Sequence, residues 1–336
     1  MVTASAPHCR ATVLAADIGG TSGRFALFAM GGESLALAAR VELPSAAAGG
    51  FEALVRSAMD ALAPSGRDLP APSAAVLAVA GPVRQGRFCL PPNIPYTLDL
   101  DLLPSGLLPA SSLLVNDFTA QAHGCRVLGV EGSDPVLPGT MDAAETQAVV
   151  GPGTGLGKAA LIPDGRGGFV VGSSEGGHAA FPFNAGEERL FQDFVLRATG
   201  EPFARWETVV SGSGLALLNR YLTGEVLAPA QVSASLNAEA ATTEWFARFL
   251  GRACRDYVLE VVARGGVYVS GGVAAKNPLF LSHWAFEREF RASHTHPELM
   301  AGVGVRLVRD QNVGLWGAAA LAQRLAEPVC DQRLSR

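Results

Sequence analysis

Two glycine-rich turns, Ala16-Asp17-Ile18-Gly19-Gly20-Thr21 and Gly151-Pro152-Gly153-Thr154-Gly155-Leu156-Gly157, each lie between apolar runs that read as strands, more than a hundred residues apart. Glycine lets backbone N–H groups approach an anion closely and reach the positive φ angles of an anion-cradling nest, and a threonine hydroxyl adds a donor. The first turn lacks the G-x-x-x-x-G-K-[ST] pattern. The second is not a G-x-G-x-x-G that opens a helix. Both commonest nucleotide motifs are therefore excluded by spacing, and what remains is a pair of hairpin turns suited to gripping phosphate from two lobes.

The pattern around the turns supports two lobes. Apolar segments at 13–17, 24–28 and 35–43 read as a three-strand meander, followed by a helix over 51–62, a buried strand at 74–80, and a strand at 113–116 that runs into a short helix through Cys125. The order then restarts. A hairpin at 148–150 and 158–162, a strand at 169–172, helices over 187–199, 214–222 and 243–263, and a strand at 267–270 repeat the arrangement without repeating the sequence. Two such sheets with helices make an α/β protein. A length of 336 residues also exceeds what one core usually supports.

The charge balance excludes several classes. A formal net charge of −5 with scattered basic residues offers no footprint for nucleic acid. The first sixteen residues read as neither a secretory leader nor a membrane span, and the roughly ten that precede the first strand leave no room for a helix-turn-helix. Five cysteines, Cys9, Cys89, Cys125, Cys254 and Cys330, form no C-x-x-C pair, so a reducing cytoplasm is expected and structural zinc is not.

The segments A-D-I-G-G-T at 16–21, V-N-D-F-T-A at 115–120, G-P-G-T-G-L-G at 151–157, E-G-G-H at 175–178, E-T-V-V-S-G-S-G at 207–214 and S-G-G-V at 270–273 occur in one order along nearly the whole chain. In these the chain resembles bacterial ATP-dependent glucokinases. The resemblance implies the two-lobe actin-like (ribonuclease H-like) ATPase fold with a nucleotide and sugar cleft, a small lobe of residues 11–127 joined by a C-terminal helix over 310–330, and a large lobe of 128–309. Ala16 and Ser22 stand where family members often carry Gly and Asn. Phe181-Pro182-Phe183-Asn184 follows the E-G-G-H segment without cysteine, so the zinc-free branch fits better than the related repressor and kinase group.

Function can then be assigned residue by residue. Phosphoryl transfer needs a group that orients the acceptor hydroxyl and takes its proton, and Asp117 at a strand end is the expected base, although an aspartate there could equally cap the following helix. Sugar hydroxyls need converging donors and acceptors. The resemblance puts Asn116, Asp117, Glu175, His178 and Glu207 in that role, with Asn93 in a Pro-rich turn as a further contact. Ala16, Asp17, Ile18, Gly19, Gly20 and Thr21 from one lobe, and Gly153, Thr154 and Gly155 from the other, are expected at the phosphates of ATP. Gly271 and Gly272 are expected near the adenosine. Asp17 is expected to hold Mg²⁺ through water. Lys158, one of only two lysines, is expected to be exposed at the start of a strand. The expected activity is ATP-dependent phosphorylation of glucose by a homodimer. Another hexose, a polyphosphate donor, or a non-catalytic sugar sensor remain as alternatives.

Overall fold

The computed structural model describes residues 11–32, 34–67 and 69–334, with side chains through residue 326. The leader reading of the first ten residues, Cys9 and the Cys330 side chain fall outside that description. The chain forms two compact units. One comprises residues up to Val127 with those from Asn312 onward, and the other runs from Leu128 to Gln311.

In the first unit β1 (Ala11–Ile18), β2 (Ser22–Gly31) and β3 (Ser34–Pro44) form an antiparallel meander. α1 (Phe51–Leu62) follows, then β4 (Pro72–Val79), a small sheet of β5 (Val83–Arg84), β6 (Phe88–Cys89) and β7 (Leu98–Asp99), then β8 (Ser111–Asn116). The main sheet has the order β3-β2-β1-β4-β8, with β4 parallel to both of its neighbours. Its central strands are buried on both faces, as parallel strands covered by helices must be. Leu14, Ala16 and Ile18 alternate toward a core closed by Phe51, Leu54, Val55, Ala58 and Leu62 of α1. Val13 and Ala15 face the opposite core. There the alanines 318, 319, 322 and 326 of the C-terminal helix Val313–Leu334 let it lie close to the sheet. α2 (Asp117–Leu128) begins where β8 ends.

The second unit repeats the design. β9 (Asp134–Leu137), β10 (Gln147–Pro152), β11 (Leu156–Pro163) and β12 (Phe169–Ser174) precede α3 (Glu187–Thr199), α4 (Trp206–Val209), α5 (Gly212–Thr223), α6 (Pro229–Ser235) and α7 (Ala241–Val261). β13 (Val267–Val269), α8 (Gly272–Lys276), three short helices and β14 (Val305–Leu307) follow. The sheet order β12-β11-β10-β13-β14-β9 reproduces the order of the first sheet, with one strand added at the edge. α7 starts two residues before the expected 243 and stops two before the expected 263, where Val262 adopts a left-handed φ of 52° that ends the helix. Among the described residues no helix is long and apolar enough to cross a membrane.

Candidate active site

In the first unit the β1–β2 turn is locked from below. The Gly19 N–H donates to Ser22 O at 3.0 Å and the Ser45 N–H to Thr21 O at 3.1 Å. The fully buried Ser45 donates its hydroxyl to Gly19 O at 2.5 Å, and its own carbonyl accepts from the Tyr96 hydroxyl at 2.6 Å. Tyr96 belongs to the loop that carries Asn93. A Cβ at Gly20 would stand 2.7 Å from Asn93 Cβ, so the absent side chain is what lets the two segments meet. Asp17 is the penultimate residue of β1, and its Oδ2 accepts from Arg24 Nη2 at 2.8 Å. Burial pushes its carboxyl up, Arg24 pulls it down and Glu42 pushes it up again, with a net rise.

Asn116 ends β8, and its Oδ1 accepts from the backbone N–H groups of Phe118 at 2.9 Å and Thr119 at 3.3 Å. Its Nδ2 donates to Gly81 O at 3.2 Å, tying the end of β8 to the turn after β4. The capping that the sequence allowed for Asp117 therefore falls to Asn116. Asp117 is the first residue of α2, where the helix dipole favours a negative charge. Its Oδ1 also accepts from the Phe118 N–H at 2.9 Å.

In the second unit the β10–β11 turn closes with the Gly153 N–H donating to Gly155 O at 2.8 Å, and Gly153 O accepts from the Gly212 N–H at the start of α5 at 2.9 Å. Thr154 is exposed at its tip. Gly271, at φ 106°, turns the chain out of β13 toward Gly272 and α8, and a Cβ there would strike Pro152 O at 2.7 Å. The sequence reading passed over the serine-capped start of α5, where Ser211 Oγ accepts from the Gly214 N–H at 3.1 Å.

Glu175, His178 and Glu207 come together because the chain pairs with itself. Ala180 and Arg205 form an antiparallel bridge, with the Phe181 N–H on Ala204 O and the Trp206 N–H on Ala179 O, each at 2.9 Å. His178 Nε2 lies 3.5 Å from Glu175 Oε2, and its Nδ1 lies 3.2 Å from Glu207 Oε1. A Cβ at Gly155 would sit 2.6 Å from Glu207 Oε2, so the β10–β11 turn and the acid are neighbours. Arg205, which lies outside the sequence motifs, ion-pairs with Glu207 and reaches His178 Nδ1 at 3.1 Å. Its signal was only a cation two residues before an acid.

Lys158 corrects an expectation. Its side chain is 1% exposed rather than solvated, because β11 is flanked by β10 and β12 and covered by α7. Its Nζ lies 4.7 Å from the Trp206 ring centre and 5.3 Å from that of Tyr257. Burial lowers its pKa, against the opposing charges of Glu260 and Asp256.

No cluster of three or more His, Cys, Asp or Glu side chains suited to a metal occurs among the described residues. A single carboxylate such as Asp17 nevertheless fits a hydrated Mg²⁺ whose other ligands are phosphate and water.

A sequence model of the glucokinase family matches residues 14–325. A glucokinase of Nitrobacter hamburgensis is 31% identical over 316 residues, covering 91% of this chain and 95% of that protein. The crystal structure of a glucokinase from an Antarctic psychrotroph superposes with a TM-score of 0.77 at 28% identity, covering 93% of this chain and 99% of the other. A ROK family glucokinase from Streptomyces griseus, in complex with glucose and AMPPNP, shares the fold with a TM-score of 0.65 at 20% identity, covering 93% and 99% of the two chains. The hairpin turns, the Asn-Asp strand end and the Glu-His-Glu group thus lie in a chain that belongs to the glucokinase family.

Proposed function

We propose that this enzyme, an ATP-dependent kinase of glucose, uses Asp117 to orient the sugar's 6-hydroxyl and accept its proton as the γ-phosphoryl group of ATP is transferred. The observation that carries the assignment is the division of labour at the end of β8. Asn116 supplies the helix cap and the tie to Gly81, and Asp117 presents a carboxylate at the helix N-terminus. The transition state is loose, so catalysis consists mostly of placing the hydroxyl and neutralising phosphate charge.

The Gly19–Thr21 and Gly153–Gly155 turns offer backbone N–H groups to the triphosphate, and Gly271 and Gly272 offer a surface without side chains to the base. Asn93, the remaining Nδ2 hydrogen of Asn116, Asp117, Glu175, His178 and Glu207 pair with the sugar hydroxyls. Asp17 would hold hydrated Mg²⁺, which when bound would supply positive charge to the phosphates. Mg²⁺ dependence, a cytoplasmic setting and a homodimeric assembly complete the reading; the setting follows from the cysteine pattern, and the homodimer rests on the family resemblance.

Asp117→Ala should lower kcat by about 10²–10⁴-fold in a coupled assay, while calorimetry still detects glucose binding. Retention of more than a tenth of the wild-type turnover would remove Asp117 from this role. The same assay run over a panel of hexoses, with polyphosphate in place of ATP and with Mg²⁺ withheld, tests the rest.

A further inference from the structure

Arg205 has the strongest connections of any side chain around the Glu-His-Glu group that the mechanism above leaves without a task. Its guanidinium divides between two carboxylates. Nη2 donates to Glu201 Oε1 at 2.5 Å and Nε to Glu201 Oε2 at 3.4 Å, while Nη1 serves Glu207 Oε1 and His178 Nδ1. Thr208 Oγ1 donates to Glu201 Oε2 at 2.9 Å, holding that acid in place as the anchor of the fork. The hydrogen bond to Glu201 above all, with the charges of both acids, raises the Arg205 pKa against the cost of burial, so its charge is permanent. The charged and titratable groups around it are Glu175, His178, Glu201 and Glu207, with Lys158 beneath Gly176, where a Cβ would stand 3.9 Å from Nζ. Without Arg205, two carboxylates, Glu175 and Glu207, would flank His178 with no guanidinium between them and the sugar.

That balance matters to a sugar that carries a charge. A hexosamine is protonated near neutral pH, and its ammonium would be drawn to an unpaired Glu207 or Glu175. With Arg205 on Glu207, the same edge presents a cation and a neutralised acid, which suits hydroxyls and repels an ammonium. We propose that Arg205 is a specificity-determining residue that makes the hexose site prefer neutral sugars over protonated amino sugars. The inference rests on the reading that His178 and Glu207 contact the sugar. Asp117 is assigned the 6-hydroxyl, so the ring hydroxyls left to this group include those that 2-amino-2-deoxyglucose and 3-amino-3-deoxyglucose replace.

The test compares kcat/KM for glucose, 2-deoxyglucose and the two amino sugars in the full-length wild type, Arg205→Met and Arg205→Lys. Arg205 is about one-third exposed, and thermal melts check that both variants fold. In Arg205→Met the ratio of at least one amino sugar to glucose should rise by about five- to tenfold at pH 6.5. The rise should vanish near pH 9.5, where the amine is neutral. The ratio of 2-deoxyglucose to glucose should stay within twofold of wild type, and Arg205→Lys, which keeps the charge without the fork, should keep the wild-type amino-sugar ratio. An unchanged ratio in Arg205→Met for both amino sugars, or a rise that persists at pH 9.5, overturns the proposal. Glu207→Gln run in parallel separates the two readings. If it leaves the KM for glucose unchanged, the sugar-site assignment itself fails and the proposal falls with it.

Discussion

Arg252, on α7, is the largest fully buried side chain among the described residues, and its removal should be costly for a reason that can be itemised. Nε donates to Glu289 Oε1 at 2.7 Å. Nη1 donates to Glu188 Oε2 at 2.7 Å and to Pro182 O at 2.8 Å, and Nη2 to Glu188 Oε1 at 2.9 Å. Breaking a buried ion pair from one side typically costs about 3–5 kcal/mol, because a charge is left without a partner. Here each orphaned acid keeps a second one. Glu188 retains Arg248 at 3.4 Å and the Asn184 N–H at 2.7 Å, and Glu289 retains Arg255 at 3.2 Å. Arg252→Met also fills most of the volume, so the low end applies, about 3 kcal/mol. For a unit of this size that corresponds to a fall in Tm of about 6–12 °C.

Tryptophan fluorescence in urea, reported by Trp206 and Trp245 in the same core, measures the loss directly. There is a pH signature as well. Burial pushes the Glu188 carboxyl up, but hydrogen bonds from Arg252 and Asn184 and the charges of Arg252 and Arg248 outweigh it and hold it below its ordinary value of 4.5. A depressed carboxylate contributes stability above its unfolded pKa and loses it as pH falls through the folded one. The wild type should therefore lose stability below about pH 4.5, and Arg252→Met should lose less over the same range. A variant within 1 kcal/mol of wild type at pH 7, or one with undiminished acid sensitivity, would refute this reasoning.

Two further outcomes follow from buried polar groups. Lys158→Met exchanges a desolvated cation for an apolar chain of similar length, and should raise stability at pH 7 by about 1–3 kcal/mol despite the lost cation–π contacts. Because burial lowers the lysine pKa, the unfolded chain binds the proton more tightly. Wild-type stability then rises with pH, and the variant's advantage should shrink as the ordinary value of 10.5 is approached; a variant less stable by more than 1 kcal/mol at pH 7 counts against it. Ser45→Ala removes the hydroxyl that holds Gly19 O, costing about 1 kcal/mol and raising the KM for ATP several-fold. A lower Tm with an unaltered KM would show that the β1–β2 turn does not grip the nucleotide.

Where sequence and structure agree, the agreement comes from local physics. The apolar spacing at Phe51, Leu54, Val55, Ala58 and Leu62 defined α1 to the residue, since a helix buries one stripe and nothing else was competing there. Glycine pairs between apolar runs marked both hairpin turns for the same reason. The end of α7 was misread by two residues, because the apolar run continues through Val262 and Ala263 while the backbone at Val262 has already turned left-handed. The charge of Lys158 argues for solvent, and only the strands on either side of β11 and Tyr257 of α7 beside its Nζ show that solvent is absent.

What the sequence alone determined is the identity of the chemical groups and the order of the strands that carry them. Aspartate at a strand end, paired glycines in a hairpin and acids beside a histidine are local choices written in residue type and spacing. Which of those groups touch was decided by tertiary structure. The Ala180–Arg205 bridge brings Glu207 to His178, and Arg205 joins both. Asn116, rather than Asp117, takes the cap because strand β4 places Gly81 O beside its amide. Contacts between segments far apart in the chain depend on strand register and on what covers each face, and neither is encoded at the residues that meet.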